Sequence, residues 1–287
     1  MRVLLTGASG FIGSAFYSRY RNILDIEAAS FHKEIDQINI DHIDVVVHLA
    51  ALVHQMNGAD EKDYHEVNVA KTLALAEKAK TSGVGQFIFM SSVKVYGEEN
   101  DEPYNEKSPC FPKEPYGESK LEAEKALLSL ADDTFKIAII RTPVVYGEGV
   151  KANILKLVEL TDRYGALPFG GIDNRRSMVY IGNLTHLIFE IIKQDKAGLF
   201  LAGDDAPFST SELIAAIAKA LRKRCMLFPC LTLKTVLKYL KPQLFQRLYG
   251  NLYLDNAQTK ASLNLTNPYS AQEGIERMVA WYKAQKQ

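Results

Sequence analysis

Short apolar runs alternate with longer amphipathic stretches along most of the chain. The apolar runs fit buried parallel strands at residues 3–5, 45–49, 87–90 and 137–140, with weaker candidates at 26–29 and 198–201. Helical spacing of apolar positions covers residues 12–20, 64–80, 117–130, 154–164 and 184–193. Strands that alternate with helices form parallel sheets with helices on both faces. The pattern therefore predicts an α/β fold built on a doubly wound parallel sheet.

A different pattern follows residue 202. Helical patterns at 211–221 and 271–283 flank an apolar and basic stretch at 231–254. We interpret residues 1–147 and 176–202 as the sheet domain, and residues 148–175 and 203–287 as a smaller, mostly α-helical substrate-binding region. No Gly/Ser-rich linker separates them, so a ligand cleft is expected between them. The stretch 231–254 is predicted to join the core of the second region, with contact to a membrane surface as the alternative.

Composition excludes several classes of function. The 34 Lys and Arg residues balance 34 Asp and Glu residues, so no overall positive field favours a nucleic acid partner. Apolar runs stay shorter than the roughly 18 residues of a membrane span. The first residues are typical of a strand and turn rather than of a signal peptide. Three cysteines without metal-ligand spacing suit a reducing cytoplasm and predict no metal site.

The segment "TGASGFIG" directly follows the first predicted strand. It places Gly7, Gly10 and Gly13 in a G-x-x-G-x-x-G pattern ahead of a helix. Gly7 and Gly10 allow a tight turn and a close approach to a diphosphate, while Gly13 allows the helix to pack closely on the sheet. The amide N–H groups at the start of the helix attract an anion. The segment therefore predicts a dinucleotide-binding site.

The residues after the second predicted strand bear on the choice of dinucleotide. An acidic residue about 20 positions after the glycines usually binds the adenosine ribose. Here "DIEAAS" continues into "FHKE", so Phe31, His32 and Lys33 occupy that place. His32 and Lys33 can bind a 2′-phosphate, which favours NADP over NAD, or they can be solvated loop charges. Both NAD and NADP stay open at this point.

Two further segments carry groups suited to proton transfer. In "EPYGESKLEAEK", Pro115 suits a helix start, and Tyr116 and Lys120 lie one turn apart on the same helix face. Ser91 and Ser92 end the strand in "FIFMSSVKVYG", where alternation directs only one of them toward a given neighbour. A phenol beside an ammonium can exchange a proton near neutral pH. Ordinary surface chemistry and strand capping are the alternatives.

These motifs occur in an order that resembles a known family. The chain is similar to the extended short-chain dehydrogenase/reductases, in the nucleotide-sugar epimerase branch typified by UDP-glucose 4-epimerase. The resemblance rests on "TGASGFIG", "VVVHLAA", "EVNVAKT", "SSVKVYG", "PYGESK", "RTPVVYGEG", "RRSMVYIGNL" and "LTNPYSAQEGIERMVAWY". It covers nearly the whole chain and implies that the sheet is Rossmann-like.

The resemblance also implies roles for individual residues. The catalytic set is Ser92, Tyr116 and Lys120. With the loop residue His32 added, the predicted cofactor-binding set is Gly7, Gly10, Phe11, Ile12, Gly13, His32, Leu49, Ala50, Ala51, Asn68, Tyr116 and Lys120. The predicted substrate-binding set is Ser92, Asn153 and Arg176, where the motif register favours Arg176 over Arg175.

The activity that the resemblance implies is redox chemistry at a sugar carbon. Tyr116 takes a proton from a sugar hydroxyl, Ser92 orients that oxygen, and hydride passes to the nicotinamide, which gives a 4-keto sugar. Val93 and Lys94 stand where dehydratases of the group carry Asp and Glu, which argues against dehydration. The leading expectation is a cytoplasmic NAD(P)-dependent 4-epimerase of a UDP-hexose or UDP-N-acetylhexosamine.

Two other functions stay open, together with the sugar itself. One alternative is an NAD(P)H-dependent reductase of a 4-keto nucleotide sugar, and the other is a non-catalytic dinucleotide sensor. The family commonly forms homodimers through helices of the sheet domain, so a homodimer is an expectation here. Lys71, Asn183 and Val144 replace residues that are usual in the family, which leaves the identity of the sugar open.

Overall fold

A sheet of parallel strands forms the centre of the protein. The computed structural model describes residues 1–52 and 60–286. The strands are β1 (Arg2–Thr6), β2 (Asp25–Ala29), β3 (Val45–His48), β4 (Gln86–Ser92), β5 (Lys136–Thr142), β6 (Val144–Tyr146), β7 (Ala166–Leu167), β8 (Met178–Tyr180), β9 (Gly198–Leu201) and β10 (Met226–Leu227). Six of them form the central sheet in the order β2–β1–β3–β4–β5–β9, and every neighbouring pair is parallel.

Helices connect the strands and cover the sheet. They are α1 (Phe11–Tyr20), α2 (Glu61–Tyr64), α3 (Lys71–Thr81), α4 (Pro115–Leu130), α5 (Ala152–Arg163), α6 (Ile181–Lys193), α7 (Thr210–Leu221), α8 (Leu231–Leu240), α9 (Pro242–Tyr249), α10 (Ala257–Leu263) and α11 (Ala271–Ala284). Between α2 and α3, residues His65–Ala70 form a π-helical segment. The prediction of a doubly wound parallel α/β sheet is confirmed.

The core lies on both faces of this sheet because successive side chains of a strand point to opposite sides. Val3, Leu5 and Val47 belong to the cluster shared with α1 and α6. Leu4 and Val46 belong to the cluster shared with α3 and α4. The sheet order reverses direction between β1 and β3, and a doubly wound sheet opens a ligand crevice at the carboxyl ends of such strands.

The second region packs around its own apolar cluster. Tyr146, Val158, Ile217, Ile275 and Met278 lie at its centre, and α11 contacts α7. Two short parallel pairs lie outside the central sheet: β7–β10 lies within the residues predicted as the second region, and β6–β8 lies within those predicted as the sheet domain. The apolar cluster therefore includes residues of both predicted parts. The predicted boundaries between the two domains remain an interpretation.

The stretch 231–254 was predicted to be buried in the core of the second region, but most of its helical residues are not buried. Leu237 is the buried residue of α8, and none of the residues of α9 is buried. Leu252 and Tyr253 beyond them are buried, whereas Leu231 and Leu240 are 77% and 76% exposed. Among the described residues, no helix is long and apolar enough to cross a membrane.

Candidate active site

The glycine turn after β1 is shaped by close backbone contacts. Gly7 has φ +73°, and a Cβ on it would lie 2.8 Å from the backbone nitrogen of Ala50. A Cβ on Gly13 would lie 2.1 Å from the carbonyl oxygen of Gly7. The amide of Gly10 donates to the same oxygen at 2.9 Å. Side chains at Gly7 and Gly13 would therefore push the turn away from β3 and α1.

The start of α1 offers donors to an anion. Gly10 is its N-cap, no side chain caps the helix, and its first turn carries no acidic residue. The positive end of the helix dipole lies at the same place. Phe11 and Ile12 of the first turn pack against the core of the second region. The predicted cofactor residues of this turn therefore do lie together.

The residues after β3 complete the same crevice. The amide of Leu49 donates to the Thr6 carbonyl oxygen at 3.3 Å, and the amide of Ala50 donates to the Thr6 Oγ1 at 3.3 Å. Leu49, Ala50 and Ala51 are half-buried. These bonds hold the end of β3 beside the glycine turn, as the predicted cofactor set requires.

The residues after β2 lie apart from these buried contacts. His32 and Lys33 are exposed, whereas Phe31 is buried and packs edge-on against the His48 ring at 4.6 Å. Phe31 therefore has a packing role in this loop. A cofactor contact for His32 stays a prediction.

His48, at the end of β3, belongs to the "HLAA" strand end on which the family resemblance places the cofactor, and its structural role was not predicted. Its Nδ1 lies 2.7 Å from Thr6 Oγ1, and its Nε2 lies 3.0 Å from Thr72 Oγ1. Burial, assisted by the nearby charge of Lys120, lowers the pKa of His48 to about 3, so the ring is neutral. His48 therefore ties β1 and β3 to α3 beneath the crevice. A polar residue ending an apolar strand was the available signal.

The two serines that end β4 point in different directions. Ser91 donates to the Glu124 carboxylate, which also accepts from Arg141 Nη2 at 2.6 Å. All three of these side chains are buried. The Ser92 hydroxyl instead accepts from the Lys94 amide at 3.3 Å and lies near enough to Tyr116 to lower the pKa of that phenol. The geometry therefore supports Ser92, rather than Ser91, as the partner of Tyr116.

Tyr116 lies in the first turn of α4, close to the turn that follows β4. A Cβ on Gly117 would lie 2.7 Å from the carbonyl oxygen of Lys94, so α4 approaches that turn more closely than a larger residue would permit. The Tyr64 ring lies 6.1 Å from the Tyr116 ring. Burial raises the pKa of Tyr116 to about 12, although the nearby Ser92 side chain acts in the opposite direction. The surrounding residues thus keep Tyr116 in its phenol form.

Lys120 lies one turn further along α4 and is almost fully buried. Its Nζ donates to the Met90 carbonyl oxygen at 2.9 Å and lies 4.4 Å from the centre of the Phe89 ring. Burial lowers the pKa of Lys120 to about 7, while Glu124 opposes this shift. The Lys120 ammonium does not by itself convert Tyr116 to a phenolate. Burial raises the pKa of Tyr116, and this effect is larger than any lowering by the residues around it.

Asn68 joins the segment after β3 to the catalytic helix. Its Oδ1 accepts from the Leu52 amide at 2.8 Å, and its Nδ2 donates to the Leu52 carbonyl oxygen at 3.0 Å and to Ser119 Oγ at 3.1 Å. Asn68 belongs to the π-helical segment, an irregularity that is frequent at functional sites. These contacts suit the predicted supporting role. Direct binding of cofactor by Asn68 stays a prediction.

Arg176 and Arg175 differ in their surroundings. Arg176 Nη1 donates to the carbonyl oxygens of Gln246 at 3.3 Å and Gly250 at 3.2 Å. Burial lowers the pKa of Arg176 to about 10, and the nearby charge of Glu98 opposes the shift. The interaction with Glu98 places Arg176 near the loop that follows Ser92, on the side of the second region.

Arg175 is exposed and contacts residues different from those around Arg176. Its guanidinium carbon lies 5.6 Å from the Tyr253 ring centre. It also lines a cavity of about 1060 Å³ together with Asp205 and Glu212, away from Ser92 and Tyr116. The geometry therefore agrees with the choice of Arg176 over Arg175. Asn153 is exposed in the first turn of α5, and its role in binding substrate stays a prediction.

Lys94 is a residue near the site to which the sequence reasoning gave no positive role. Its ammonium forms an ion pair with Glu98 and lies 3.6 Å from a carboxylate oxygen of Glu114. Val93 beside it is buried. Its position two residues after Ser92 was the signal that could have identified it.

The match to known sequences decides the family. Residues 23–203 match the NAD dependent epimerase/dehydratase family. The chain belongs to the NAD dependent epimerase/dehydratase family.

Named relatives and solved structures extend this result. The chain is 37% identical to a UDP-glucose 4-epimerase of Vibrio cholerae, over 96% of this chain and 93% of the relative. It is 31% identical to an N-acetyl-alpha-D-glucosaminyl-diphospho-ditrans,octacis-undecaprenol 4-epimerase of Escherichia coli O157:H7, over 77% and 73%. Its fold matches a UDP-glucuronic acid 4-epimerase from Bacillus cereus in complex with NAD, with a TM-score of 0.80, 20% identity and complete coverage of both chains.

Proposed function

We propose that this protein is an NAD-dependent nucleotide-sugar 4-epimerase that acts on a UDP-hexose or UDP-N-acetylhexosamine. The observation that carries the proposal is the placement of Ser92, at the end of β4, next to Tyr116 in the first turn of α4, with Lys120 one turn further along the same helix. The relative from Vibrio cholerae, a UDP-glucose 4-epimerase, supports the same reaction for this chain.

The residues at the crevice fit NAD. Gly7 and Gly13 leave the space that a Cβ would fill, and the uncapped start of α1 provides amide donors for the diphosphate. The Bacillus cereus epimerase of the same fold binds NAD. When bound, the nicotinamide accepts hydride from the sugar carbon and returns it. NADP, suggested by His32 and Lys33, remains the less supported choice.

Three residues have separate roles at the sugar hydroxyl: Tyr116, Ser92 and Lys120. Once its own proton has left, Tyr116 Oη accepts the proton of the 4-hydroxyl and later returns it. Ser92 Oγ, which lies next to Tyr116, holds the sugar oxygen in line with that transfer. The Lys120 ammonium lies next to the end of β4, where its charge offsets negative charge on the phenol. The positive charge of an oxidised nicotinamide acts in the same direction.

The two residues after Ser92 do not supply the acid and the base that dehydration requires. Val93 is buried and apolar, and Lys94 is held by Glu98, so the pair after Ser92 cannot provide the acid and base for loss of water. Epimerisation needs neither group, because hydride returns to the same carbon from the other face. A reductase would use the same three residues, but it must consume one reduced cofactor in each turnover.

One experiment separates these reactions. The purified protein is incubated with UDP-glucose or UDP-N-acetylglucosamine without added reduced cofactor, and the sugar products are resolved by chromatography. We expect interconversion of the C4 epimers with no net change in absorbance of reduced nicotinamide. A reductase would form no epimer from either UDP-sugar; with added oxidised cofactor it would instead form a keto sugar together with one reduced nicotinamide for each sugar oxidised. Absence of epimer from both UDP-sugars would contradict the proposed function.

A lipid-linked sugar diphosphate is a second candidate substrate for the same reaction. The specific observation in its favour is the exposed apolar and basic surface of α8, which is unusual for an enzyme that meets only soluble substrates. The Escherichia coli relative is by its name an epimerase of a diphospho-undecaprenol sugar. Comparing turnover of a UDP-linked and a polyprenyl-diphosphate-linked N-acetylglucosamine would distinguish the two substrates.

A further inference from the structure

Exposed apolar side chains are concentrated in one part of the second region. Fifteen large apolar side chains are exposed among the described residues, and seven of them lie between residues 226 and 244. The other eight are spread over residues 1 to 164. The seven are Met226, Phe228, Leu231, Val236, Tyr239, Leu240 and Leu244. We call this part, residues 222–244, the basic apolar surface; such a patch on a single chain marks an interaction site.

The same segment is strongly basic. Residues 222–244 contain six Lys or Arg residues and no Asp or Glu, in a chain whose 34 basic and 34 acidic residues balance. The rest of the chain is therefore six charges negative. Lys234, Lys238 and Lys241 are exposed beside the apolar side chains. Within the described residues, none of these three lysines forms an ion pair with a carboxylate of the protein.

The arrangement on α8 is that of a helix lying at an interface. At about 100° of rotation for each residue, Tyr239, Val236 and Leu240 fall within an arc of roughly 100°. Lys238 and Lys234 lie on the other side of the helix, roughly 100° and 120° beyond the edges of this arc, and the buried Leu237 faces the protein. Exposed apolar side chains can enter the acyl boundary of a lipid surface, and the long stems of the lysines allow their ammonium groups to reach the phosphates.

We propose that the basic apolar surface docks the protein on a membrane rich in anionic phospholipids. Anionic headgroups complement the cations of the segment, and the acyl boundary receives the apolar side chains. A second copy of the chain fits this surface poorly. A symmetric dimer through it would place the lysines of both copies opposite one another without acidic partners.

The docking surface is connected to the candidate substrate cleft through α9. The carbonyl oxygens of Gln246 and Gly250 accept from Arg176, the predicted diphosphate ligand. The carbonyl oxygen of Leu248 accepts from Thr210 Oγ1 at 2.7 Å, which anchors α9 to the second region. Docking would thus bring the membrane close to the wall of the cleft. Membrane docking depends on this surface alone and does not require that the protein be an epimerase.

Vesicle sedimentation tests the docking. The full chain is mixed with vesicles of phosphatidylcholine alone, or of phosphatidylcholine with roughly a third phosphatidylglycerol, at low and at high salt. We expect at least about tenfold tighter binding to the anionic vesicles, and loss of most of that gain at about 1 M salt, where surface charges are screened. Equal binding to both vesicles, or none to either, would overturn the proposal.

Matched variants locate the contact. Tyr239→Ser with Leu240→Ser removes apolar area, and Lys238→Gln with Lys241→Gln removes charge; each pair should weaken vesicle binding about tenfold. Ile23→Ser with Leu128→Ser, at exposed positions outside the surface, should leave binding unchanged. Turnover of a soluble UDP-sugar and the melting temperature verify that each variant is folded. Light scattering that shows a dimer abolished by the first pair, without vesicle binding, would assign the surface to a second copy instead.

Discussion

Proton transfer in the proposed reaction depends on one oxygen atom, the Oη of Tyr116. Burial keeps the pKa of this hydroxyl high, at about 12, although the nearby Ser92 side chain lowers it. A base that is protonated before substrate arrives can act only when neighbouring positive charge lowers its pKa. Lys120 and an oxidised cofactor are the groups available for that purpose.

Tyr116→Phe tests this assignment most directly. The ring still packs beside Tyr64, but the proton-transferring oxygen is gone, so turnover should fall by at least about a hundredfold. NAD affinity, measured by calorimetry, should change little. A turnover rate near that of the unmodified protein would contradict the role of Tyr116. Ser91→Ala is an unsuitable control, because Ser91 bonds with the buried Glu124.

Lys120→Met should change stability in a pH-dependent way. The pKa of Lys120 in the folded protein, about 7, lies below its ordinary value. Between about pH 7 and about pH 10, Lys120 is therefore protonated in the unfolded chain but mostly deprotonated in the folded protein. Stability of the cofactor-free protein should therefore rise with pH in that window, by about 1.4 kcal/mol per pH unit at most. The Met variant should lack this rise.

Denaturant titrations at several pH values measure this difference. Below about pH 7 the full cost of burying the ammonium is present, so there the Met variant should gain most in stability relative to the unmodified protein. Its turnover and NAD affinity should both fall. Parallel pH profiles for the two proteins would show that Lys120 keeps its ordinary pKa.

Arg176→Ala should weaken binding of the substrate diphosphate. Loss of a charge-assisted hydrogen bond costs roughly 1.5–3 kcal/mol, or about ten- to a hundredfold in affinity. The apparent KM for a UDP-sugar should rise by that factor while NAD affinity stays nearly constant. Arg175→Ala is the matched control, since Arg175 is exposed and lines a different cavity. If both variants keep the KM unchanged, the diphosphate does not contact Arg176.

At the scale of elements, helix α4 and strand β4 form one catalytic unit. Tyr116, Lys120 and Glu124 follow one another at intervals of one turn on α4. Each faces a residue at the end of β4: Lys120 bonds with the Met90 carbonyl, Glu124 bonds with Ser91, and Tyr116 lies next to Ser92. The spacing of the site is thus set by how closely the helix packs on the strand.

Gly117→Ala tests this packing. The added Cβ would lie 2.7 Å from the Lys94 carbonyl oxygen, so the start of α4 must move away from the turn after β4. We expect turnover to fall by about tenfold or more, because small displacements of a catalytic group are costly. Gly165→Ala is a matched control, since nothing lies within 4 Å of its Cβ position. Unchanged turnover in Gly117→Ala would show that α4 tolerates the shift.

At the scale of the whole molecule, the cofactor crevice joins the sheet domain to the second region. Phe11 and Ile12 at the start of α1 pack against the apolar cluster around Tyr146. A ligand on the glycine turn therefore rests on residues held by both parts, and its binding should stabilise the molecule as a unit. The predicted homodimer and the cytoplasmic location remain predictions at this scale.

NAD should raise the melting temperature of the whole protein. At about a hundred times its Kd, a ligand adds about 2.7 kcal/mol of stability, which corresponds to a rise of roughly 5 °C for a chain of this size. Gly7→Ala should abolish the rise, because its Cβ would meet the Ala50 backbone at 2.8 Å and φ is +73°. Differential scanning fluorimetry measures both. A larger rise with NADP than with NAD would assign His32 and Lys33 to a 2′-phosphate instead.

The sequence by itself determined the sheet and most of the candidate site. Short apolar runs that alternate with helical patterns favour buried strands, so their positions were predicted closely; residues 198–201, a weaker candidate, form β9 as expected. The glycine turn and the spacing of Tyr116 and Lys120 are local features, fixed by backbone geometry within one turn. They are therefore visible without knowledge of distant contacts.

Only the tertiary structure decided features that depend on residues far apart in the chain. Whether Ser91 or Ser92 faces Tyr116 depends on how β4 packs on α4, which buries Glu124 and Arg141 behind Ser91. The pKa shifts of Tyr116 and Lys120 come from burial, which spacing does not reveal. The exposure of α8 likewise depends on what covers it, because an apolar helix has the same composition in a core and on a surface.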